Sequence, residues 1–430
     1  MEEKEVIIIG GGPAGLAAAV KLWEKGVRDM LILEREKQLG GILRQCIHDG
    51  FGLSRFGEAL SGPEYAGRFI EKVRELGIPY ETGATVVSLT KDKVATVVTR
   101  QGLRKLRARA VVLTMGCRER TRGALQIPGE RPSGVYTAGV AQAYMNLYNR
   151  TVGKEVVILG SGDIGMIMAR RLTLEGAHVQ AVYEIMPVAA GLPRNVEQCL
   201  NDYGIPLLLS HTVTNIKGKS RLEELTVQRV DEKLRPIPGT EIVHKCDTLI
   251  LSVGLIPENE LSEEAGVLLD PHTRGADVDE FMQTRTAGIF AAGNVLHVHD
   301  LVDFVSMEAE ETADAVEEYL RKDGLPECAV TLRAGENVNH TVPQRISGAR
   351  DVTVSMRVSK KLSDCAVRVM QNGREIAVKK MKKALMRSNT HLLLSAVMLF
   401  QVLAMLLIAF QKEAVNLQAL AMAAALSCRC

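Results

Sequence analysis

Two stretches of this chain carry the same design, and a chain that repeats it has few folds open to it. Residues 5–15 begin with an apolar, β-branched run, Val6 to Ile9, too short for a buried helix and typical of a central parallel strand. It leads straight into Gly10, Gly12 and Gly15, a Gly-x-Gly-x-x-Gly spacing with Pro13 and Ala14 inside it. The first glycine permits a tight turn, the second lets a pyrophosphate approach the backbone, and the third lets the next helix pack on the strand. Free amides at that helix start then face the phosphates. The helix stops at Gly26, and a second strand over 30–33 ends in Glu34, 34 − 15 = 19 residues past the third glycine. A carboxylate there accepts ribose hydroxyls.

Residues 154–165 repeat the unit with Gly160, Gly162 and Gly165, Asp163 and Ile164 lying between the last two. The copy has its own helix, a stop at Gly176, a second strand over 179–183 and its own acid, Glu184, again 184 − 165 = 19 residues on. A carboxylate repels the 2′-phosphate of NADP, and no arginine lies immediately beyond it, so NAD is preferred. Two complete copies imply two bound dinucleotides.

The bulk numbers fit this reading. A chain of 430 residues exceeds one ordinary domain. Its formal charge of +2 and 4 % aromatic content give no basic, aromatic surface for nucleic acid. The eight cysteines are scattered with no Cys-x-x-Cys pair, against a zinc-ribbon or disulfide framework and in favour of a reducing cytoplasm. The first residues lead straight into an apolar strand, so no signal peptide is expected.

After Glu34 the paired Gly40 and Gly41 resemble the flavin-binding half of the pyridine nucleotide-disulfide oxidoreductase superfamily. The resemblance extends over about residues 5–385. It is nearest, through residues 40–48 and 115–121, to the NADH-oxidase-like subunits that accompany a glycerol-3-phosphate dehydrogenase, and to opine or amine (sarcosine) oxidase α-subunits. It implies FAD on the first unit and NAD(H) on the second. It adds Gly41, Val86, Thr114, Gly116, Gly254, Gly293 and Asn294 as cofactor contacts. The family's second flavin fingerprint ends Gly-Asp, whereas here it ends Gly293-Asn294, an amide that still donates and accepts hydrogen bonds.

The same resemblance places Cys46 beside the flavin. Dihydrolipoyl-type members carry two cysteines in Cys-x-x-x-x-Cys spacing in this segment, but this chain has Leu43 and His48 where counting from the glycine pair would place them, so the redox dithiol is missing. Cys46 is the one candidate catalytic side chain, weighed against a buried structural cysteine. A helix expected from about residue 304 to 320 follows; the resemblance implies that its N-terminus points at the pyrimidine edge of the flavin, while an ordinary surface helix with acidic Glu308, Glu310 and Glu311 explains the composition equally well.

The expected architecture is α/β: two Rossmann-like dinucleotide-binding domains, the FAD domain interrupted by the NAD domain, then a small C-terminal β domain and an apolar tail. The divisions are 1–122 and 255–325 for FAD, 123–254 for NAD, 326–385 for the β domain, and 386–430 for the tail. Residues 392–410 have only Ser395 and Gln401 as polar interruptions, and any membrane contact falls to them. Three readings of this run stand open: an anchor, a buried helix, or a tail unlike the family's because the reading frame changed. The abrupt loss of resemblance after Leu385 favours the third.

The expected activity is hydride transfer between NAD(H) and FAD, with electrons passed to or from a partner subunit or an external acceptor; the expected assembly is with a partner dehydrogenase subunit, of the glycerol-3-phosphate or amine type by resemblance, or as a homodimer. The alternatives are a disulfide reductase working through Cys46 alone, and a flavin-carrying scaffold without turnover.

Overall fold

The computed structural model describes residues 1–371, 373–384, 389–394 and 406–412. In the first unit, strand Glu2–Ile9 lies between Met30–Glu34 and Gly102–Leu113, all parallel, with Tyr80–Thr82 outside the former and Ile289–Ala291 outside the latter. The second unit repeats this order. Strand Glu155–Leu159 lies between His178–Glu184 and Thr248–Leu251, flanked by Leu207–Leu209 and Val135–Thr137. Each unit also carries antiparallel strands: Thr85–Leu89 and Val94–Thr99 in the first, and the meander of His211–Lys217, Glu224–Arg229 and Ile242–Lys245 in the second. The duplication read from the glycines is therefore a duplication of the parallel core of the sheet; the antiparallel strands join that sheet in the first unit and form a separate one in the second.

Both glycine turns are built alike. A Cβ on Gly10 would lie 2.5 Å from the Thr114 carbonyl oxygen, and one on Gly160 would lie 2.0 Å from that of Ser252. The third glycines let the helices Pro13–Glu24 and Asp163–Leu174 settle against the first turn, where a Cβ on Gly15 would lie 1.8 Å from the Gly10 oxygen. Gly15→Ala should therefore destabilise the protein by about 1–3 kcal/mol or more through overpacking. Gly67→Ala, in a helix with nothing within 4 Å of the new Cβ, should be neutral or stabilising by up to about 1 kcal/mol. Urea unfolding midpoints of the two variants check the contrast.

Helix Gly62–Glu75 begins at a Ser61 and Glu64 capping box and buries Tyr65, Phe69 and Val73 in the first unit's core. The chain passes to the second unit through Cys117–Glu119 and returns through Leu255–Pro257. These two crossovers pair antiparallel, so the connection is a two-stranded ribbon.

Past residue 325 two sheets enclose a separate core that includes Val354, Met356, Val367 and Val369. The hairpin of Leu362–Gln371 and Arg374–Ala384 is present at the expected place. The sheets extend beyond the expected boundary at residue 385: Asn389–Leu394 pairs with Val352–Val358, and Leu406–Lys412 lies between Val330–Ala334 and Leu362–Gln371. Both described ends of the apolar run are thus strands, with Leu392, Leu394, Leu406 and Ile408 buried. A continuous apolar run suits a strand covered on both faces as well as a helix. Residues 395–405 and 413–430 of the expected tail lie outside the described residues. Among the described residues no helix is long and apolar enough to cross a membrane.

Candidate functional site

Each acid at the end of a second strand folds back onto its own glycine turn. Glu34 is buried, its Oε2 accepting the Gly11 N–H at 2.7 Å and its Oε1 the Glu36 N–H at 2.7 Å. Glu184 does the same, with Oε2 accepting the Ser161 N–H at 3.0 Å and Oγ–H at 2.7 Å, and Oε1 the Met186 N–H at 3.0 Å. In both copies the carboxylate bonds the residue after the first glycine and the residue two past itself. A carboxylate offers about four lone-pair positions, so each acid keeps capacity for a ribose hydroxyl.

One cavity of about 2160 Å³ joins the two units. Pockets for one drug-sized ligand hold about 300–1,000 Å³, so this volume suits two dinucleotides. From the first unit it is lined by Gly10, Gly12, Pro13, Ala14, Glu34, Gly41, Val86, Thr114 and Gly116; from the second, by Gly162, Asp163 and Ile164; Gly254 and Asn294 complete the set. Gly15, Gly160, Gly165, Glu184 and Gly293 stand behind this wall and shape the turns.

The middle glycines form the open part of the cradle. A Cβ on Gly12 would meet only the Gly41 Cα at 3.9 Å, and one on Gly162 would reach no closer than 3.4 Å, to Ser252 Oγ. Space is kept there without protein filling it, which fits a phosphate group close to the backbone. Gly41 has φ of 55° and a Cβ there would lie 3.0 Å from the Gly12 Cα, so the paired glycines permit this close passage.

Between the units, residues 41–46 meet helix Ala138–Tyr148. Gln45 Nε2 donates to the Gly139 carbonyl at 2.8 Å, and both Glu119 oxygens accept the Gly139 N–H at 2.9 Å. Cys46 sits in this seam. Its Sγ lies 3.4 Å from the Ile42 carbonyl and 3.8 Å from Gln142 Oε1, and burial pushes the thiol up to about 12. His48 also lines the cavity, its ring against Phe51 with centroids 5.0 Å apart, and burial lowers its pKa.

On the far side Asn294 Oδ1 accepts the His299 N–H at 3.0 Å, while its Nδ2 faces Cys117 Sγ at 3.7 Å. Helix Val302–Lys322 starts beside them. Asp303 near its start is buried and accepts the Gly52 and Ser54 amides at 2.9 and 2.7 Å, tying the loop after Cys46 to the helix. Glu308 is not on a solvated face. It is buried, and its Oε1 accepts the Gly293 N–H at 2.7 Å. The acidic composition of the helix concealed this, because burial depends on the turn it packs against. Gln142, Glu119, His299 and Glu308 were not singled out from sequence as site residues, and none belongs to a recognisable short motif.

Comparison with known proteins agrees with this geometry. The Pyridine nucleotide-disulphide oxidoreductase family matches residues 4–325. Hydrogen cyanide synthase subunit HcnB of Pseudomonas aeruginosa is 26 % identical over 329 residues, covering 71 % of this chain and 68 % of that one. An opine oxidase subunit of Agrobacterium tumefaciens is 28 % identical over 312 residues, covering 67 % and 61 %. The match thus spans about two thirds of the length of these relatives, both named as subunits. The crystal structure of T. acidophilum thioredoxin reductase superposes with a TM-score of 0.60 at 22 % identity, over 74 % of this chain and 99 % of that one, which shows the shared fold. The chain belongs to the pyridine nucleotide-disulphide oxidoreductase family, flavoprotein oxidoreductases that use FAD and NAD(P)H.

Proposed function

We propose that the chain moves a hydride from NADH, held by the second glycine turn and Glu184, to FAD held by the first, and hands the electrons to a partner subunit or external acceptor rather than to a disulfide. The observation that carries this is the one cavity lined by both glycine turns, whose two cysteines, Cys46 and Cys117, are both free thiols that burial pushes up, to about 12 and about 11.

FAD, when bound, supplies a two-electron acceptor that can release its electrons in separate steps. The protein's own part is orientation. Gly12 and Gly162 leave room for the phosphates, Glu34 at the cavity wall and Glu184 just behind it fix the ribose ends, and the seam between residues 41–46 and helix Ala138–Tyr148 sets the spacing of the units. Orientation of two bound reactants supplies most of such a rate without acid or base catalysis.

Glu184 favours NADH over NADPH by like-charge repulsion of the 2′-phosphate. Relatives named as subunits favour a partner, of the amine- or glycerol-3-phosphate-oxidising type by resemblance. Ile42, Val140 and Tyr148, 57 %, 45 % and 65 % exposed at the cavity wall, offer it an apolar rim. The six cysteines among the described residues are all free, which fits a reducing, cytoplasmic setting.

A single-cysteine disulfide reductase needs a thiolate, and burial works against one at Cys46. Cys46→Ser should therefore change NADH-to-dye turnover by less than about twofold, within the scatter of a tolerated buried substitution of about 1 kcal/mol or less. Loss of turnover with retained flavin would favour the reductase reading instead.

A further inference from the structure

Behind the second flavin fingerprint, three chemistry-bearing side chains converge that hydride transfer does not use. His297 and His299 leave the turn Gly293–Val295 on alternate positions, and Glu308 comes from the second turn of helix Val302–Lys322. His297 Nε2 lies 2.7 Å and His299 Nε2 3.2 Å from the same oxygen, Glu308 Oε2, and the two rings have centroids 4.1 Å apart. We propose that His297, His299 and Glu308 bind a divalent transition-metal cation of the zinc type, which fastens the fingerprint turn to the helix.

The donor set argues for this class. Two imidazole nitrogens with one carboxylate oxygen suit zinc and its neighbours, whereas magnesium and calcium take oxygen ligands. The ligand atoms of all three residues lie within 4.8 Å of one another. Tetrahedral bonds of about 2.0–2.1 Å separate donors by roughly 3.3 Å, so the His297–Glu308 pair at 2.7 Å needs to open by only about half an ångström and the His299–Glu308 pair at 3.2 Å hardly at all. Three protein ligands leave one further coordination position.

Burial and hydrogen bonding add independent support. The side chains of His297, His299 and Glu308 are 1 %, 2 % and 9 % exposed, and among the described residues the ion-pair partners of Glu308 are these two imidazoles alone. A buried carboxylate without a fixed cation is costly. Nδ1 of each ring is buried with no hydrogen-bond partner, so hydrogen bonding alone leaves both rings incompletely satisfied. The Gly293 N–H on Glu308 Oε1 fixes the carboxylate and leaves Oε2 for the cation, as outer-shell bonds orient metal ligands elsewhere.

The test uses the full-length, flavin-loaded protein, stripped with a chelator and titrated with zinc chloride against a chromophoric competitor. The expected result is one zinc per chain, with binding at least tenfold weaker in Glu308→Gln and in His297→Gln. X-ray absorption of the zinc-loaded wild type should show only nitrogen and oxygen neighbours at about 2.0–2.1 Å, with imidazole scattering, and it decides the case even where a variant fails to fold. No stoichiometric zinc, equal affinity in folded variants, or sulfur neighbours at about 2.3 Å would each overturn the proposal.

Discussion

Gly12→Val yields a folded protein without flavin. The residue has φ of −79° and ψ of −171°, extended backbone that valine adopts readily, and the nearest atom to a new Cβ is 3.9 Å away. The substitution therefore costs the fold little and fills the space kept for the pyrophosphate. Blocking a close backbone-to-phosphate approach removes several hydrogen bonds to a charged group, each worth about 1.5–3 kcal/mol, so the flavin affinity should fall by two orders of magnitude or more. Purified variant and wild type, compared for bound flavin per chain and for urea unfolding after flavin removal, check both halves. A yellow Gly12→Val protein would contradict the assignment of this turn to FAD.

Gly162→Val gives the complementary outcome. At φ of −65° and ψ of 159° the backbone again accepts valine, and the nearest neighbour of its Cβ, at 3.4 Å, is the hydroxyl of Ser252. Flavin content should match the wild type, while the NADH concentration needed to reduce half of it rises at least a hundredfold by the same loss of phosphate bonds. Loss of flavin in this variant would mean that the two turns had been assigned to the wrong nucleotides.

Much of the fold was legible because its strongest signals are local. A strand, three glycines and an acid 19 residues on, occurring twice, predict the parallel sheets and their helices directly. Sequence did not reveal that Glu34 and Glu184 bond their own glycine turns, because that contact closes across the sheet between separate strand ends. Glu308 was misread for a related reason. Helical periodicity gives which residues share a face, not that this face meets two histidines and the Gly293 amide. Residues 406–410 fell in the apolar run for which an anchor, a buried helix and a tail from a changed reading frame all stood open, since an apolar stretch without alternation carries no period to separate strand from helix. Their partner strands, Val330–Ala334 and Leu362–Gln371, lie far back in the chain. The burial of Cys46 also depends on helix Ala138–Tyr148, almost a hundred residues further on, which no local pattern connects to it.

The most direct test of the account is an anaerobic titration of the purified, flavin-loaded chain with NADH and separately with NADPH, followed by the visible flavin absorbance. The account predicts bleaching with one equivalent of NADH per flavin, and a markedly higher concentration requirement for NADPH because of Glu184. A protein that stays yellow under excess of both would contradict hydride transfer between the two sites and leave a flavin-carrying scaffold.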